Sequence, residues 1–179
     1  VDRLGNLVSS GIFKNQEPEF DKEKSIWRYD VKAITDKDEK KLFVYFLLEE
    51  IFSKRLEEGM QDDVVELVLL DEANLFFTDE SDNIINIIAK EARKFGLGLI
   101  CASQSPTHFS EDFISNVGTK IILGLDQLFW DQSVRKLKIE LRALEWIVAH
   151  QKMVVQINNK AELKNKFTGV LLQKPIVIK

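Results

Sequence analysis

The chain has 179 residues, of which 45% are hydrophobic and 30% are charged, and this composition excludes a largely disordered protein. A formal net charge of −4 excludes a generally basic coat protein for nucleic acid. The charge is unevenly spread, because six lysines and a single acid follow His150. We interpret this C-terminal excess as a solvated surface, with a local basic contact surface as the alternative.

A single cysteine, Cys101, excludes an internal disulfide framework and a zinc cluster. It lies in the apolar run 97–102, so we expect a small core residue and not a nucleophile, in a reducing cytoplasmic setting. No run approaches about 20 apolar residues, and no membrane span is predicted. The chain starts at Val1 without an initiator Met, and its first residues lack the apolar region of a signal peptide.

The first third of the chain predicts a surface segment, a strand and a helix. The charged run 14–24 indicates a surface connection. Residues 25–34 alternate apolar and polar side chains, which predicts a strand. Thr35 or Asp36 is suited to cap a following helix, whose apolar residues recur at helical spacing as far as Glu58.

The middle of the chain predicts two buried strands joined by a helix. Residues 64–70 are almost wholly apolar and predict a central strand that is covered on both faces. A helix over 81–95 carries a stripe of isoleucines and ends at Gly96, and the polar loop before it is suited to cap it: Asp79, Glu80 and Asp82. Residues 97–102 predict the second buried strand.

The last third predicts short elements and a terminal hairpin. Helices are expected over 109–116, 131–137 and 141–146, with a third apolar strand over 119–125. Residues 153–157 and 167–172 predict a β-hairpin whose turn lies near Asn158 and Asn159. Strands that alternate with helices predict an α/β fold with a parallel sheet flanked by helices, followed by this hairpin.

Polar residues follow both central strands. Asp71 and Glu72 come after the first, and Ser103 and Gln104 come after the second. In parallel sheets ligands bind beyond the carboxyl ends of the strands, so these four residues are the candidate site. Burying a carboxylate without a partner costs free energy. A Mg²⁺ ion that also binds phosphate would be such a partner. The second acid would orient an attacking water. The alternative is a plain strand end that caps the next helix.

Three motifs in order make the sequence resemble a known family. VVELVLLDEAN over 64–74, and KEARKFGLGLICASQSP over 90–106, resemble the Walker B and following motifs of the HerA/FtsK group of RecA-like P-loop ATPases. That group includes hexamers that pump DNA and the ATPases of conjugation and type IV secretion. The resemblance is closest to the HerA branch and covers residues 27–125. Walker B by itself is a weak signal, whereas Walker B, EARKFG and ASQ in this order are specific.

The resemblance implies roles for five residues. Asp71 would hold Mg²⁺ through water, Glu72 would be the catalytic base, and Gln104 would sense the γ-phosphate of ATP, with Ser103 positioning the sensor loop. Arg93 would be an arginine finger that reaches a neighbouring subunit, because a guanidinium neutralises charge on the transferring phosphoryl group. The alternative for Arg93 is a solvated cation at a helix end.

One family motif is missing. No G-x-x-x-x-G-K-[ST] run occurs in the chain, so the amides and lysine that hold the β- and γ-phosphates are lacking. In the family this loop lies upstream of Walker B. We therefore expect residues 1–179 to be a single domain, the C-terminal portion of an ATPase core that begins after the loop. Such a piece would hydrolyse ATP poorly or not at all by itself.

The resemblance implies a DNA translocase or helicase, driven by ATP and Mg²⁺, that acts on double-stranded DNA as a cytoplasmic homo-hexamer. A nuclease or restriction partner is expected, with a system that recognises phosphorothioate-modified DNA as one context. The alternatives are a conjugation or type IV secretion ATPase, and a non-hydrolysing docking or assembly module.

The remaining candidates favour ordinary roles. His108 and His150 are isolated, show no metal-ligand spacing, and predict surface residues. We expect the three tryptophans to pack against the protein and not to stack on bases: Trp27, Trp130 and Trp146. The C-terminal lysines predict a solvated hairpin, with contact to DNA phosphates as the alternative: Lys152, Lys160, Lys164 and Lys166.

Overall fold

The computed structural model describes residues 21, 23–77, 83–158 and 166–173. The predicted capping loop, Asn159 of the predicted turn, Lys160, Lys164 and most of the charged run 14–24 lie outside these ranges. The chain divides between Glu50 and Ile51 into two compact units. The division falls inside the longest helix, α1, which spans Lys37–Glu58.

The first unit contains a 3₁₀ turn and the start of α1. Asp36 caps the helix as predicted, because its Oδ1 accepts from the amides of Asp38 (2.8 Å) and Glu39 (2.9 Å). The helix ends at Glu58, and Gly59 follows it with φ +83°. Both predicted helix boundaries are confirmed.

The predicted strand over 25–34 is wrong. The structure has a 3₁₀ turn at Val31–Ala33 instead, begun by the Asp30 carboxylate, which accepts from the amide of Lys32. Ile26 is 86% exposed. An alternating pattern predicts a strand only where another strand takes its backbone hydrogen bonds, and within the described ranges no strand pairs with this segment.

The second unit starts with two parallel strands joined by a helix. Strand β1 (Glu66–Leu70) pairs with β2 (Leu97–Cys101) in a register that places Glu66 opposite Leu97 and Leu70 opposite Cys101. Between them run helix α2 (Ile84–Glu91) and a 3₁₀ turn (Ala92–Phe95). The predicted helix is thus confirmed, and its described cap is Asn83, whose Oδ1 accepts from the amide of Ile85 at 2.9 Å.

The remainder of the second unit is a three-stranded antiparallel sheet with short helices. The strands are β3 (Thr119–Ile122), β4 (Lys152–Ile157) and β5 (Thr168–Leu171), in the order β3-β4-β5. The helices are α3 (Glu111–Asn116), α4 (Trp130–Leu137) and α5 (Leu141–Trp146). Shorter 3₁₀ turns lie at Ala73–Leu75, Pro106–His108 and Gln127–Phe129. The terminal hairpin is confirmed as the antiparallel pair β4–β5.

The third apolar strand belongs to a different sheet from the one predicted. β3 pairs antiparallel with β4 and does not extend the parallel pair. Ile122 is buried while Ile121 is exposed, which is typical of a sheet with one solvated face. Periodicity identifies a strand but does not name its partner, and this is why the prediction failed.

The apolar strand β1 is covered on one face only. Leu67 and Leu69 are 58% and 63% exposed, and Ile100, opposite Leu69 in β2, shares their exposed face. The prediction of cover on both faces is therefore wrong for the described part of the chain. An apolar run shows that both faces suit burial, but burial also requires an element that packs on each face.

Two apolar clusters stabilise the second unit. One joins β3 and β4 to α4 and α5 through Ile122, Leu137, Ile139, Leu144 and Val154. The other is aromatic: the Phe77 ring meets the edges of Phe109 and Phe113 at 4.9 and 4.7 Å between centroids. None of the helices within the described ranges combines the length and the apolar content that crossing a bilayer requires.

Candidate functional site

The carboxyl ends of β1 and β2 meet at one edge, as the sequence predicted. Two backbone hydrogen bonds join them: the Ala102 amide donates to Leu70 O (2.9 Å), and the Ala73 amide donates to Ala102 O (2.8 Å). The pairing therefore continues from β2 to Ala102, which is bonded both to the last residue of β1 and to Ala73, three residues further along the chain. It places the loop of Asp71 and Glu72 beside the loop that starts at Ser103.

Asp71 and Glu72 form a tight turn after β1. The Glu72 amide donates to Asp71 Oδ1 at 3.0 Å, which orients the aspartate. Glu72 itself adopts the left-handed conformation, with φ 48° and ψ 44°. This conformation is uncommon outside glycine, asparagine and aspartate. Fully buried Ala73 anchors the turn that follows.

Both carboxylates are exposed, so the expectation that burial makes them costly is wrong for this structure. Strand β1 is half-buried on one face, and the two acids that follow its end are both exposed. What marks the pair is therefore its place at the strand end and the left-handed backbone of Glu72. Left-handed residues held by their surroundings cluster at functional sites.

The loop after β2 is organised by a small hydrogen-bond network. Ser103 Oγ lies 2.8 Å from His108 Nδ1 and 3.3 Å from Ser105 O. Buried Ser105 caps the 3₁₀ turn, because its Oγ accepts from the Thr107 amide at 3.2 Å. Gln104 lies exposed between these fixed residues. The backbone on both sides of Gln104 is thus held while its side chain faces solvent.

The hydrogen bond between His108 and Ser103 was not predicted from the sequence. His108 is exposed, as predicted, yet it is bonded to the residue that precedes Gln104. A serine and a histidine five residues apart form no recognisable motif, so no sequence signal indicated this pairing. The turn that carries His108 is also tied to α4, because Lys136 Nζ donates to Thr107 O at 3.0 Å.

Arg93 does not join the other four residues. It lies exposed in the 3₁₀ turn before β2, whereas Gln104 follows the end of that strand. Five strand residues at about 3.3 Å each separate the two ends by roughly 16 Å. Within one chain, Arg93 and the acidic pair therefore lie at opposite ends of β2.

The Asp71 carboxylate fits one kind of magnesium site. Mg²⁺ at nucleotide sites keeps several waters and takes one or two carboxylates together with phosphate oxygens. Asp71 supplies one exposed carboxylate at the strand end. Among the described residues, no three His, Cys, Asp or Glu side chains are grouped to hold a metal ion by themselves. The donor set fits Mg²⁺ that arrives with a nucleotide and does not fit a permanent structural metal.

Cys101, the last residue of β2, is suited to packing. Burial raises the pKa of its thiol to about 12, because the thiolate would lose hydration there. The nucleophilic form is the thiolate, so this thiol is unreactive near neutral pH.

Partial sequence relatives are helicases. No protein-family profile matches the chain. A 90-residue stretch is 38% identical to a probable helicase of Methanocaldococcus jannaschii, covering 44% of this chain and 17% of that protein. Stretches of 63 and 98 residues are 43% and 33% identical to the DNA double-strand break repair helicase HerA of Pyrococcus furiosus and of Sulfurisphaera tokodaii. They cover 33% and 50% of this chain.

The chain spans 11 to 20% of the length of these curated relatives. The predicted resemblance to HerA-type helicases is confirmed over that part.

Solved structures show the fold. The bacterial conjugative coupling protein TrwBdeltaN70 has a TM-score of 0.58 at 11% identity, over 82% of this chain and 39% of that one. The genome packaging NTPase B204 of Sulfolobus turreted icosahedral virus 2, in complex with AMPPCP, has a TM-score of 0.51 at 17% identity, over 74% and 62%. The predicted α/β fold class is therefore confirmed.

Proposed function

We propose that this chain is the C-terminal part of the core of an ATP-driven DNA translocase or helicase of the HerA/FtsK type. The main support is that Asp71-Glu72 and Ser103-Gln104 follow the carboxyl ends of two parallel strands. These strands are hydrogen-bonded to each other, so the two loops are neighbours. They occur in a chain whose partial relatives are HerA-type helicases. The polar edge of a parallel sheet is where ligands of α/β proteins bind.

In this proposal the acidic pair is a Walker B motif whose two residues have different roles. Asp71 would hold Mg²⁺ through water, and the bound ion would neutralise charge on the phosphate oxygens. Glu72, whose backbone is left-handed, would orient the attacking water and accept its proton. Gln104 donates a hydrogen bond to the γ-phosphate, and Ser103 holds the backbone of that loop.

Arg93 acts on a neighbouring subunit. Its distance from the acidic pair of its own chain supports an arginine finger that completes the site of the next subunit. This requires a ring, for which we propose a homo-hexamer around double-stranded DNA in the cytoplasm. A nuclease or restriction partner, including one for phosphorothioate-modified DNA, belongs to the same proposal. A conjugation or type IV secretion ATPase would use the same residues.

A second candidate function is a docking or assembly module that does not hydrolyse ATP. The exposed turn of Asp71 and Glu72, closed by the Glu72 amide on Asp71 Oδ1, is compatible with a plain strand end of this kind. In that case the acidic pair would have no catalytic role, and substitutions there would leave function unchanged.

The deciding experiment is Glu72→Gln in the full-length protein that contains this chain. Loss of the base should lower kcat for ATP hydrolysis by about 10²- to 10⁴-fold, with KM for ATP changed little. Glu57→Gln is the matched control, because Glu57 is an exposed glutamate on α1. ATP hydrolysis and strand displacement on duplex DNA are the two readouts.

Normal activity in Glu57→Gln with loss in Glu72→Gln would support the motor. Equal, unchanged ATP hydrolysis in both variants would overturn the role of Glu72. A full-length protein without ATP hydrolysis, whose partner assembly survives Glu72→Gln, would establish the docking module instead.

A further inference from the structure

The second unit also contains a concave surface that the acidic pair, Asp71 and Glu72, does not line. It is an open groove of about 1390 Å³ between helices α3 to α5 and the antiparallel sheet. Its floor includes Val154 and Gln156 of β4, and its rim includes residues after α4. We call it the basic groove, after the six cationic residues in the described ranges that line it: Lys120, Arg135, Lys136, Lys138, Arg142 and Lys166.

The charge of the groove is opposite to that of the chain. Of the described residues, two carboxylates, Glu111 and Glu140, line it together with the six cations, whereas the whole chain carries −4. Glu140 is already paired with Arg142. Among the described residues, the other five cations have no carboxylate within ion-pair distance. Cations collected in a concavity repel one another until an anion enters.

Neutral oxygens hold three of these cations in place. Lys120 Nζ donates to Gln156 Oε1 at 3.0 Å, and Arg135 Nε donates to Asp131 O at 3.3 Å. Lys136 Nζ donates to Thr107 O at 3.0 Å. Each contact positions a charge without neutralising it. The side chains are thus fixed, which lowers the entropy lost when a ligand binds.

Lys120 is one of the less exposed cations of the groove. It is half-buried on β3, and burial lowers the pKa of its ammonium group, because the charged form loses hydration there. Its partner Gln156 is buried and carries no charge. An anion beside Lys120 would restore the stabilisation that burial removes.

We infer that the basic groove binds the phosphodiester backbone of a nucleic-acid strand. The volume exceeds the range of about 300–1,000 Å³ that is typical of small-molecule sites, which favours a polymer over a single nucleotide. The cations come from β3, α4, α5 and the segment before β5, so they can contact successive phosphates. Contacts to phosphates carry no base information, so we expect binding to be independent of sequence.

The choice of DNA as the probe rests on the proposed function, but none of the candidate ATPase residues lines the groove. The strand can belong to single-stranded DNA or be one strand of a duplex, and the two sources are tested separately. Binding is measured without ATP, so a failure of the ATPase proposal leaves this test intact.

The test is Arg135→Gln with Lys138→Gln in the full-length protein. Both side chains are exposed, which makes loss of folding an unexpected result. The matched control, Lys37→Gln with Lys54→Gln, removes the same charge from exposed positions of α1 that do not line the groove. Fluorescence anisotropy would follow a labelled 20-nucleotide strand, and a 20-base-pair duplex, over a range of salt concentrations.

The groove variant should weaken binding about tenfold, and the slope of log K against log salt should fall by about 1 for each phosphate that the variant no longer neutralises. The control should bind like the unmodified protein. If the groove variant weakens binding of only one of the two probes, that probe identifies whether single-stranded or duplex DNA supplies the strand. Equal affinities in groove and control variants for both probes would overturn the inference. So would displacement by a poly-glutamate peptide but not by unlabelled DNA, since that result assigns the groove to an acidic protein.

Discussion

The hydrogen bond between Ser103 Oγ and His108 Nδ1 gives an exposed histidine a defined task. Either group can be the donor, depending on the tautomer of the imidazole. The bond fixes the backbone on the amino side of Gln104, which the proposal places on the γ-phosphate. His108 is thus a positioning residue, because it acts on the site through Ser103.

We expect His108→Ala to lower kcat for ATP hydrolysis about fivefold in the full-length protein, as the loss of one hydrogen bond predicts. KM for ATP should stay the same, because no contact to bound nucleotide is removed. His108→Asn should restore most of kcat, since an asparagine amide can occupy the place of Nδ1. Steady-state kinetics of both variants provide the measurement.

Ser103→Ala is the partner control for this prediction. Residues that act through one bond are not additive, so the double variant should be no slower than either single variant. An equal loss in His108→Asn and His108→Ala would contradict a role through hydrogen bonding.

Glu72 shows what sequence reasoning can and cannot establish about a single residue. Its place after an apolar run was predicted from the residues alone. Its left-handed backbone was not, because non-glycine residues take that conformation under the influence of contacts that the sequence does not display. The exposure of both acids was likewise missed, since an apolar strand does not show where the chain turns next.

Gly96 joins β2 to β1 in a way that only glycine allows. It has φ +70°, and its carbonyl accepts from the amides of Val65 (2.8 Å) and Glu66 (3.1 Å). A β-carbon there would lie 2.4 Å from Val65 Cγ2 and 2.8 Å from Asp63 O. The glycine predicted to end a helix therefore also brings the two parallel strands together.

We expect Gly96→Ala to lower the free energy of unfolding by about 2–4 kcal/mol, from the left-handed backbone and the overlap with fixed backbone atoms. Gly124→Ala is the control, because nothing lies within 4 Å of the added carbon, and it should change stability by less than about 0.5 kcal/mol. Urea denaturation of the full-length variants measures both. Equal midpoints for the two would refute this role of Gly96.

Elements with local signals were predicted well, whereas two predictions that depend on distant segments failed. The cap at Asp36, the end at Gly59, helix α5 and the terminal hairpin follow from capping and periodicity, which depend on neighbouring residues. The partner of β3 and the absence of a strand over 25–34 depend on distant segments. Short-range patterns carry no information about them, which is why both predictions failed.

The 179 residues include the residues proposed to act on the metal and the water, and no G-x-x-x-x-G-K-[ST] run occurs among them. We expect the 179-residue chain by itself to hydrolyse ATP more than about 100-fold slower than the full-length protein, because it lacks the amide cradle and the lysine. A phosphate-release assay on both proteins makes the comparison. Similar turnover by the two would contradict the expectation.

Two backbone hydrogen bonds beyond Leu70 and Cys101 couple the loop of Glu72 to the loop of Gln104. Neither loop can shift along the strand direction without breaking a bond to Ala102. The amide hydrogens of Ala73 and Ala102 are therefore natural reporters of events at this edge. Their exchange with deuterated solvent should slow together when a ligand rigidifies either loop, and should quicken together when the edge opens.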